Sequence, residues 1–204
     1  DEKLNGAFGN FSQRNFFKKI YHLFFQRILF RKYSYANDHI FKSMKKICEQ
    51  TNRNLNLDSL RHVFTHKFLE PLYKKANKIC VIGDGRLNFT SIILKEFMNI
   101  KKIYHINLPE VLFLETKLIE KSKLIDFTSI CYVSTKNELL KAENDDNIRL
   151  ILISPNNSNI LFDNNIDVFA NIASFQEIND HVINKYLDNI SSNKAIFYHC
   201  NRET

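Results

Sequence analysis

The sequence predicts an α/β fold in which a mainly parallel sheet is flanked by helices and preceded by an N-terminal helical cap. From residue 76 onward, short β-branched apolar runs alternate with helical patterns, as in sheets whose parallel strands are joined by crossover helices. Residues 1–75 show helical periodicity alone. We therefore expect a helical cap over 1–75 and an α/β core over 76–204. The chain begins at Asp1 and stops just after an apparent strand, so we expect it to be a piece of a longer protein.

The stretch 78–95 lies at the centre of the predicted core. It starts as a short apolar run, breaks at Gly83 and Gly85, and resumes as a helical pattern. This order of strand, tight turn and helix lets backbone N–H groups and the positive end of a helix face a ligand. An ordinary turn, in which the glycines serve geometry alone, is the alternative. The third glycine of the dinucleotide-binding pattern would fall on Asn88, which disfavours a nicotinamide or flavin cofactor.

Three helices are predicted in the cap. The first, over 16–30, has a wide apolar stripe opposite lysine and arginine side chains. The second begins near Asn37 and Asp38, which are good N-cap residues, and places Ile40, Phe41, Met44, Ile47 and Cys48 on one face. The third follows Asp58 and is bent or restarted at Pro71, with these side chains facing inward: Leu60, Val63, Phe64 and Phe68.

The core is predicted to contain five strands. Two strand-like runs, 129–133 and 149–154, compete for the third position. We favour 149–154 because a loop of Pro155, Asn156 and Asn157 follows it. The other predicted elements are the strands 79–82, 103–107, 167–170 and 195–200, and the helices 88–98, 180–190 and one that opens at Pro109.

The charge of the chain is concentrated in its N-terminal part. The whole sequence of 204 residues has a formal net charge of +7, and no run of about 18 apolar residues that could span a membrane. Residues 1–75 contain 15 Lys and Arg against 6 Asp and Glu, or +9, and the remainder contains 14 against 16, or −2. We favour solvated helix faces as the cause and expect no nucleic acid partner. A weak association of the basic helices with an anionic membrane surface is the alternative.

The cysteines and the glycosylation-type sequons favour a cytoplasmic location. Cys48, Cys80, Cys131 and Cys200 are scattered singly in apolar settings, so we expect reduced core thiols. A glycan on Asn88 would sit in the proposed ligand-binding turn.

Polar residues interrupt the apolar pattern where the predicted strands end. Because parallel strands end at one edge of a sheet, we expect these residues to surround one crevice. Asn107 lies 24 positions after Gly83, about where a ribose-binding side chain is expected, although it could instead cap the next helix.

Four of these segments, in this order, resemble the sugar O-methyltransferase family. They are Ile82-Gly-x-Gly85, the run Asn-Leu-Pro-Glu-Val-Leu from Asn107, the run Ser-Phe-Gln-Glu-Ile from Ser174, and Asn-Arg-Glu from Asn201. Members of this family are S-adenosylmethionine-dependent enzymes with a Rossmann-like core, often encoded among polysaccharide biosynthesis functions. The likeness spans about residues 76–204.

The resemblance implies S-adenosylmethionine as cofactor and a sugar or glycan hydroxyl as acceptor. It implies contacts to the cofactor from Gly83, Asp84, Gly85, Arg86, Asn107, Leu108, Asn171 and Ala173, and contacts to the acceptor from Ser174, Gln176, His199 and Arg202. Three positions depart from the family: Val81 and Asn107 stand where acids are common, and Leu87 where a glycine is common. These departures motivate a second hypothesis, a catalytically degenerate binding or scaffold domain in a polysaccharide biosynthesis system. The sequence leaves the oligomeric state open.

Glu177 is the first candidate for the general base that removes the hydroxyl proton, and His181 is the second. Each has a structural alternative, because Glu177 could cap the following helix and His181 could be a surface residue. His199 is a third candidate base or a buried strand histidine. Arg202 could bind an anionic group of the acceptor or pair with Glu177 or Glu203. We expect no metal site, since the acidic and histidine candidates form no second cluster.

Overall fold

A computed structural model of the chain describes residues 38–53 and 55–201, together with the single positions Ile20 and Phe24. Apart from those two positions, the helix predicted over 16–30 lies outside the described residues, as does Arg202. None of the helices in the described part is both long and apolar enough to cross a membrane.

Six strands and six α-helices make up this part of the chain. In chain order they are α1 (His39–Gln50), α2 (Leu57–Tyr73), β1 (Lys78–Ile82), α3 (Asn88–Glu96), β2 (Lys102–Ile106), α4 (Pro109–Ser122), β3 (Ile130–Val133), α5 (Lys136–Asn144), β4 (Leu150–Ile153), β5 (Val168–Ile172), α6 (Asp180–Ser192) and β6 (Ile196–Cys200). Short 3-10 helices cover Phe127–Ser129, Pro155–Leu161 and Phe175–Glu177.

All six strands are parallel and lie in the order β3-β4-β2-β1-β5-β6. From β1 the chain adds β2 beside it, then β3 at the far edge and β4 between β3 and β2, and it finally crosses to the other side of β1 to add β5 and β6. The point where the order reverses lies between β1 and β5, where Ile82 pairs with Asn171. The predicted α/β class with a parallel sheet is confirmed, and the fold is Rossmann-like.

Both strand-like runs that competed for the third position are strands. The favoured one, β4, pairs directly with β2, and β3 lies outside it at the edge of the sheet. The segment that begins at Pro155 is a 3-10 helix and not the loop that we predicted.

Two apolar clusters cover the two faces of the sheet, because successive strand residues point to opposite sides. One cluster joins Val81 and Ile103 to the buried faces of α1, α2, α3 and α4. The other joins Ile82 and Ile153 to α5 and α6. The two cap helices in the described residues therefore share one core with the sheet.

The cap helices follow the predicted caps but not every predicted face. Asp38 caps α1 through the backbone N–H of Phe41. A restart of α2 at Pro71 is wrong, because the helix continues to Tyr73. Proline in the last turn removes only one intrahelical hydrogen bond. Phe68, predicted to face inward, is 71% exposed and contacts Tyr198 of β6 from outside the core.

The four cysteines are free thiols. Cys48 and Cys80 lie in the core, as predicted. The prediction is wrong for Cys200, which is exposed at the end of the edge strand β6, and Cys131 is only half-buried on the opposite edge strand.

His66 is a buried histidine of α2 whose titration opposes folding in acid. Its ring stacks on Phe89, and its Nδ1 lies 3.2 Å from the Tyr73 hydroxyl. Burial, together with the charge of His62, holds the pKa of His66 well below its ordinary value. The folded protein therefore favours the neutral ring. The resulting stability is present above the unfolded pKa of about 6.5 and is lost as the pH falls toward the folded pKa.

We therefore expect the free energy of unfolding to fall by about 1.4 kcal/mol per pH unit on acidification below about pH 6 from this histidine. His66→Phe keeps the stack on Phe89 and should remove this contribution to the slope. Urea unfolding at several pH values between about 5 and 7 measures how the free energy of unfolding depends on pH. This range is suitable because carboxylates with lowered pKa titrate below it. Equal slopes in wild type and variant would contradict the assignment.

Candidate functional site

The glycine turn joins the end of β1 to α3 and begins at the switch point of the sheet. The N–H of Gly83 donates to the carbonyl oxygen of Ile106 at 2.9 Å, which extends the β1–β2 pairing by one residue. Gly83 has a φ of +75°, and a Cβ built on it would lie 2.2 Å from Ser174 Oγ. A Cβ on Gly85 would meet nothing within 4 Å. Gly83 is therefore needed for packing, and the backbone at Gly85 faces open space.

Two residues of the turn shape the start of α3. The Asp84 carboxylate accepts a hydrogen bond from the N–H of Thr90 at 2.7 Å, so this predicted cofactor residue stabilises the first turn of the helix. Leu87 adopts the left-handed conformation, with a φ of 56°, and its side chain is 1% exposed. Glycine is common at this place because the conformation costs a residue with a Cβ about 1 kcal/mol. Here the burial of Leu87 offsets that cost.

The loop between the two cap helices supports the glycine turn from outside. Nη1 of Arg53 donates to the carbonyl oxygen of Arg86 at 2.9 Å, and its Nε donates to Thr51 Oγ1 at 2.7 Å. Burial lowers the pKa of Arg53, but a guanidinium remains charged at any ordinary pH. Asn88, at the first position of α3, is buried and points its Nδ2 toward Asp58 Oδ2 at 3.5 Å. The cap thus contacts the glycine turn where it leads into α3.

Asn107 follows β2, next to the glycine turn. It is 9% exposed, and its Nδ2 donates to Glu115 Oε1 at 3.2 Å. Its Oδ1 accepts from the N–H of Leu108 at 3.0 Å, and α4 has no side-chain cap bond at its N-cap, Leu108. The alternative that Asn107 caps α4 is therefore wrong. Leu108 itself projects into solvent beside it.

The end of β5 carries a network of polar side chains on the other side of β1. Asn171 is fully buried, and its Nδ2 donates to the carbonyl oxygen of Ile82 at 3.1 Å and to the Ser174 hydroxyl. Its Oδ1 accepts from Asn201 Nδ2 at 3.0 Å, which ties the ends of β5 and β6 together. Ala173 lies in the chain between Asn171 and Ser174 and has a φ of 59°. Asn171 and Ser174 thus hold this loop against Gly83.

The acidic and histidine candidates all lie in the exposed segments that follow β5 or end β6. Glu177 ends the 3-10 helix after Ser174, and its N–H donates to the Ser174 carbonyl at 3.0 Å. His181 is on the first turn of α6 and is exposed. His199 is exposed rather than buried, and its ring stacks on Phe197 with 5.2 Å between centroids. Gln176 is half-buried beside Glu177.

Sequence reasoning missed a buried ion pair beneath Asn107. His105 Nε2 lies 2.8 Å from Glu115 Oε2, and both side chains are buried. Burial alone would lower the pKa of His105, but the Glu115 carboxylate outweighs it and raises that pKa. Burial raises the pKa of Glu115. The sequence contained an indication of this buried pair: Glu115 falls on the apolar stripe of α4, together with Leu112 and Ile119.

No group of three potential metal-ligating side chains converges in the part of the chain that the structure describes. The candidate site consists of backbone, amide and carboxylate groups at three neighbouring strand ends.

No protein family model and no curated protein sequence matches this chain. Among solved structures, the methyltransferase domain of bacterial CtHen1 aligns with 66% of this chain and 60% of its own length, at a TM-score of 0.40 and 16% identity. A point mutant of MtNAS aligns with 71% of this chain and 49% of its own length, at a TM-score of 0.31 and 20% identity. The chain thus spans less than two thirds of either protein. These similarities concern the fold, and the Rossmann-like class follows from the chain's own parallel sheet.

Proposed function

We propose that this chain is an S-adenosylmethionine-dependent O-methyltransferase that acts on a sugar or glycan hydroxyl. The observation that carries the proposal is the meeting of three strand ends at one edge of the sheet. These are the glycine turn after β1, Asn107 after β2 and the loop through Ala173 after β5. In doubly wound sheets, nucleotide-like ligands bind at this edge and at the switch point. The resemblance of these segments to sugar O-methyltransferases supports the choice of ligand.

The residues at this edge fit an adenosyl ligand. The backbone at Gly85 can be approached closely because it has no side chain and faces open space. The Asn107 amide has a carbonyl oxygen with a second lone pair, which can accept a hydrogen bond from a ribose hydroxyl. The exposed side chain of Leu108 offers an apolar surface beside it. Asp84 contributes by fixing the start of α3.

Bound S-adenosylmethionine would supply a methyl group on a positively charged sulfur. The protein must then position the acceptor hydroxyl and remove its proton. We assign the second task to Glu177, an exposed carboxylate in the loop after β5, with His181 as the alternative. Gln176 and His199 are assigned to the hydroxyl groups of the sugar. Arg202 keeps its predicted role toward an anionic acceptor.

Calorimetric titration with S-adenosylhomocysteine tests the proposal. We expect the wild-type protein to bind it, and Gly85→Ala to bind it at least about tenfold more weakly, because a methyl group would occupy the space that the ligand needs. The variant should fold as well as wild type, since the added Cβ meets no neighbour. Circular dichroism and thermal unfolding provide that control. If the folded wild-type protein bound neither S-adenosylmethionine nor S-adenosylhomocysteine at millimolar concentration, the proposal that this chain is a methyltransferase would be wrong.

Three features favour the second candidate, a degenerate binding or scaffold domain. Val81 stands where an acid is common, Leu87 places an apolar side chain where glycine is common, and Asn107 replaces a carboxylate. Under this alternative the folded protein binds neither nucleoside, and it copurifies with a polysaccharide enzyme from its own cell.

A further inference from the structure

The ion pair between His105 and Glu115 lies where ion pairs are costly. His105 is 0% and Glu115 is 3% exposed, and the pair joins β2 to α4 inside the core. Removing two charged groups from water costs several kcal/mol each, so well-packed apolar residues of similar volume are often as stable or more stable. Stability alone therefore gives no reason for this pair, and its connections to neighbouring groups are informative.

The pair belongs to a chain of hydrogen bonds that runs between two strand ends. On one side, His105 Nδ1 lies 3.0 Å from Thr90 Oγ1, and the N–H of Thr90 donates to Asp84. On the other side, the second oxygen of Glu115 accepts from Asn107 Nδ2 at 3.2 Å. The buried pair thus connects the glycine turn with the residue at the predicted ribose position.

Glu115 and the N–H of Leu108 together set which way the Asn107 amide points. An ionised carboxylate only accepts hydrogen bonds, so it can bind the NH₂ group of Asn107 and not the carbonyl oxygen. The Asn107 Oδ1 is consequently turned away from Glu115, toward the N–H of Leu108 at the strand end. A charged acceptor behind the NH₂ group also polarises the amide, which strengthens Oδ1 as an acceptor.

We propose that Glu115 is a positioning residue of the ribose site. It orients and polarises Asn107, so that the amide oxygen of Asn107 accepts the hydrogen bond from the ribose that a carboxylate would otherwise accept at this strand end. The ligand class is a nucleoside with a free ribose diol. This inference rests on the proposed function, and it adds the residue that enables Asn107 to bind a ribose hydroxyl.

The proposal predicts a dependence of nucleoside affinity on pH. The groups that face Glu115 are His105 from β2, Asn107 from the strand end, and the charge of Asp84 from the glycine turn. Because burial raises the pKa of Glu115, its carboxylate takes up a proton at a higher pH than an exposed one. A protonated Glu115 no longer selects one orientation of the amide, so affinity should fall as the pH is lowered through that pKa.

The variant Glu115→Gln tests the inference. Its affinity for S-adenosylhomocysteine is measured by calorimetric titration at a series of pH values and compared with that of wild type. We expect about tenfold weaker binding than wild type near neutral pH, the equivalent of one good hydrogen bond, and loss of the pH dependence. Glu120→Gln, the same change at an exposed position of α4, should behave as wild type. The swapped variant Asn107→Asp with Glu115→Gln places the carboxylate at the strand end and an amide behind it. We expect it to regain affinity to within about threefold of wild type.

The outcomes separate the two proposals. Wild-type binding that is matched by Glu115→Gln in both affinity and pH profile would overturn the role of Glu115 and leave the proposed function intact. If Glu115→Gln does not fold, the inference is tested with the swapped variant alone. A folded swapped variant that binds S-adenosylhomocysteine much more weakly than wild type overturns the inference. A folded wild-type protein that binds no nucleoside overturns the proposed function and with it the ribose role of Glu115.

Discussion

We expect Gly83→Ala to lower the free energy of unfolding by about 2–4 kcal/mol. Two costs combine at this position. The φ of +75° strains any residue with a side chain, and the new Cβ would lie 2.4 Å from Ser174 Cβ as well as 2.2 Å from its Oγ. Ser174 cannot give way by rotating its hydroxyl, because its own Cβ is in the way and its Oγ bonds to the Ile82 carbonyl and to Asn171.

Urea unfolding of matched variants separates the two costs. Gly85→Ala is the control, since its Cβ meets nothing, and we expect it to change stability by less than about 1 kcal/mol. In a Ser174→Gly background the overlap disappears, so Gly83→Ala should cost only about 1 kcal/mol, the cost of its conformation. A Gly83→Ala single variant as stable as Gly85→Ala would show that the loop after β5 does not pack against the glycine turn.

We expect Arg149→Met to lower the free energy of unfolding by about 2–4 kcal/mol, because the carbonyl groups of Leu94 and Ile100 lose this donor and those of Ile93 and Phe97 keep only a backbone N–H. The guanidinium of Arg149, which directly precedes β4, binds the C-terminal end of α3. It donates to the carbonyl oxygens of Leu94 at 2.6 Å, Phe97 at 2.7 Å, Ile100 at 3.0 Å and Ile93 at 3.3 Å. The last carbonyls of a helix have no partner within it, and a cation there also meets the negative end of the helix dipole.

Arg149→Lys distinguishes the geometry of the guanidinium from its charge. An ammonium is a compact group that cannot present a planar fork to four separate oxygens, so we expect lysine to recover about half of the loss. Lys101→Met, the loss of an exposed cation nearby, should cost less than about 0.5 kcal/mol. Equal stability of Arg149→Met and wild type in thermal and urea unfolding would contradict the assigned role.

Most of the secondary structure was predictable because its signals are local. The β1 strand, the glycine turn and the helix after it follow from a change of period at Gly83, and α4 opens at Pro109 as predicted. Helix α5 was missed although Thr135 and Glu138 form a complete capping box. It buries only Leu139 and Ala142, so its apolar period is weak.

The site was predicted as a set of strand ends, and the roles within it were not. The positions of Asp84, Asn107, Asn171 and Ala173 at neighbouring strand ends follow from the order of elements. That Asp84 binds the helix start, and that Asn107 is backed by a carboxylate, depends on side chains that meet only after packing. The roles assigned to Glu177 and His181 stay predictions.

The sequence by itself determined the α/β class and which residues lie where the strands end, because periods of two and of 3.6 residues and the glycines between them are written in neighbouring positions. Only the tertiary structure decided what those residues contact. Ser174 reaches the Ile82 carbonyl across 92 positions of the chain, and His105 meets Glu115 only because α4 folds back over β2. Such contacts depend on how elements dock in space, which no local pattern records.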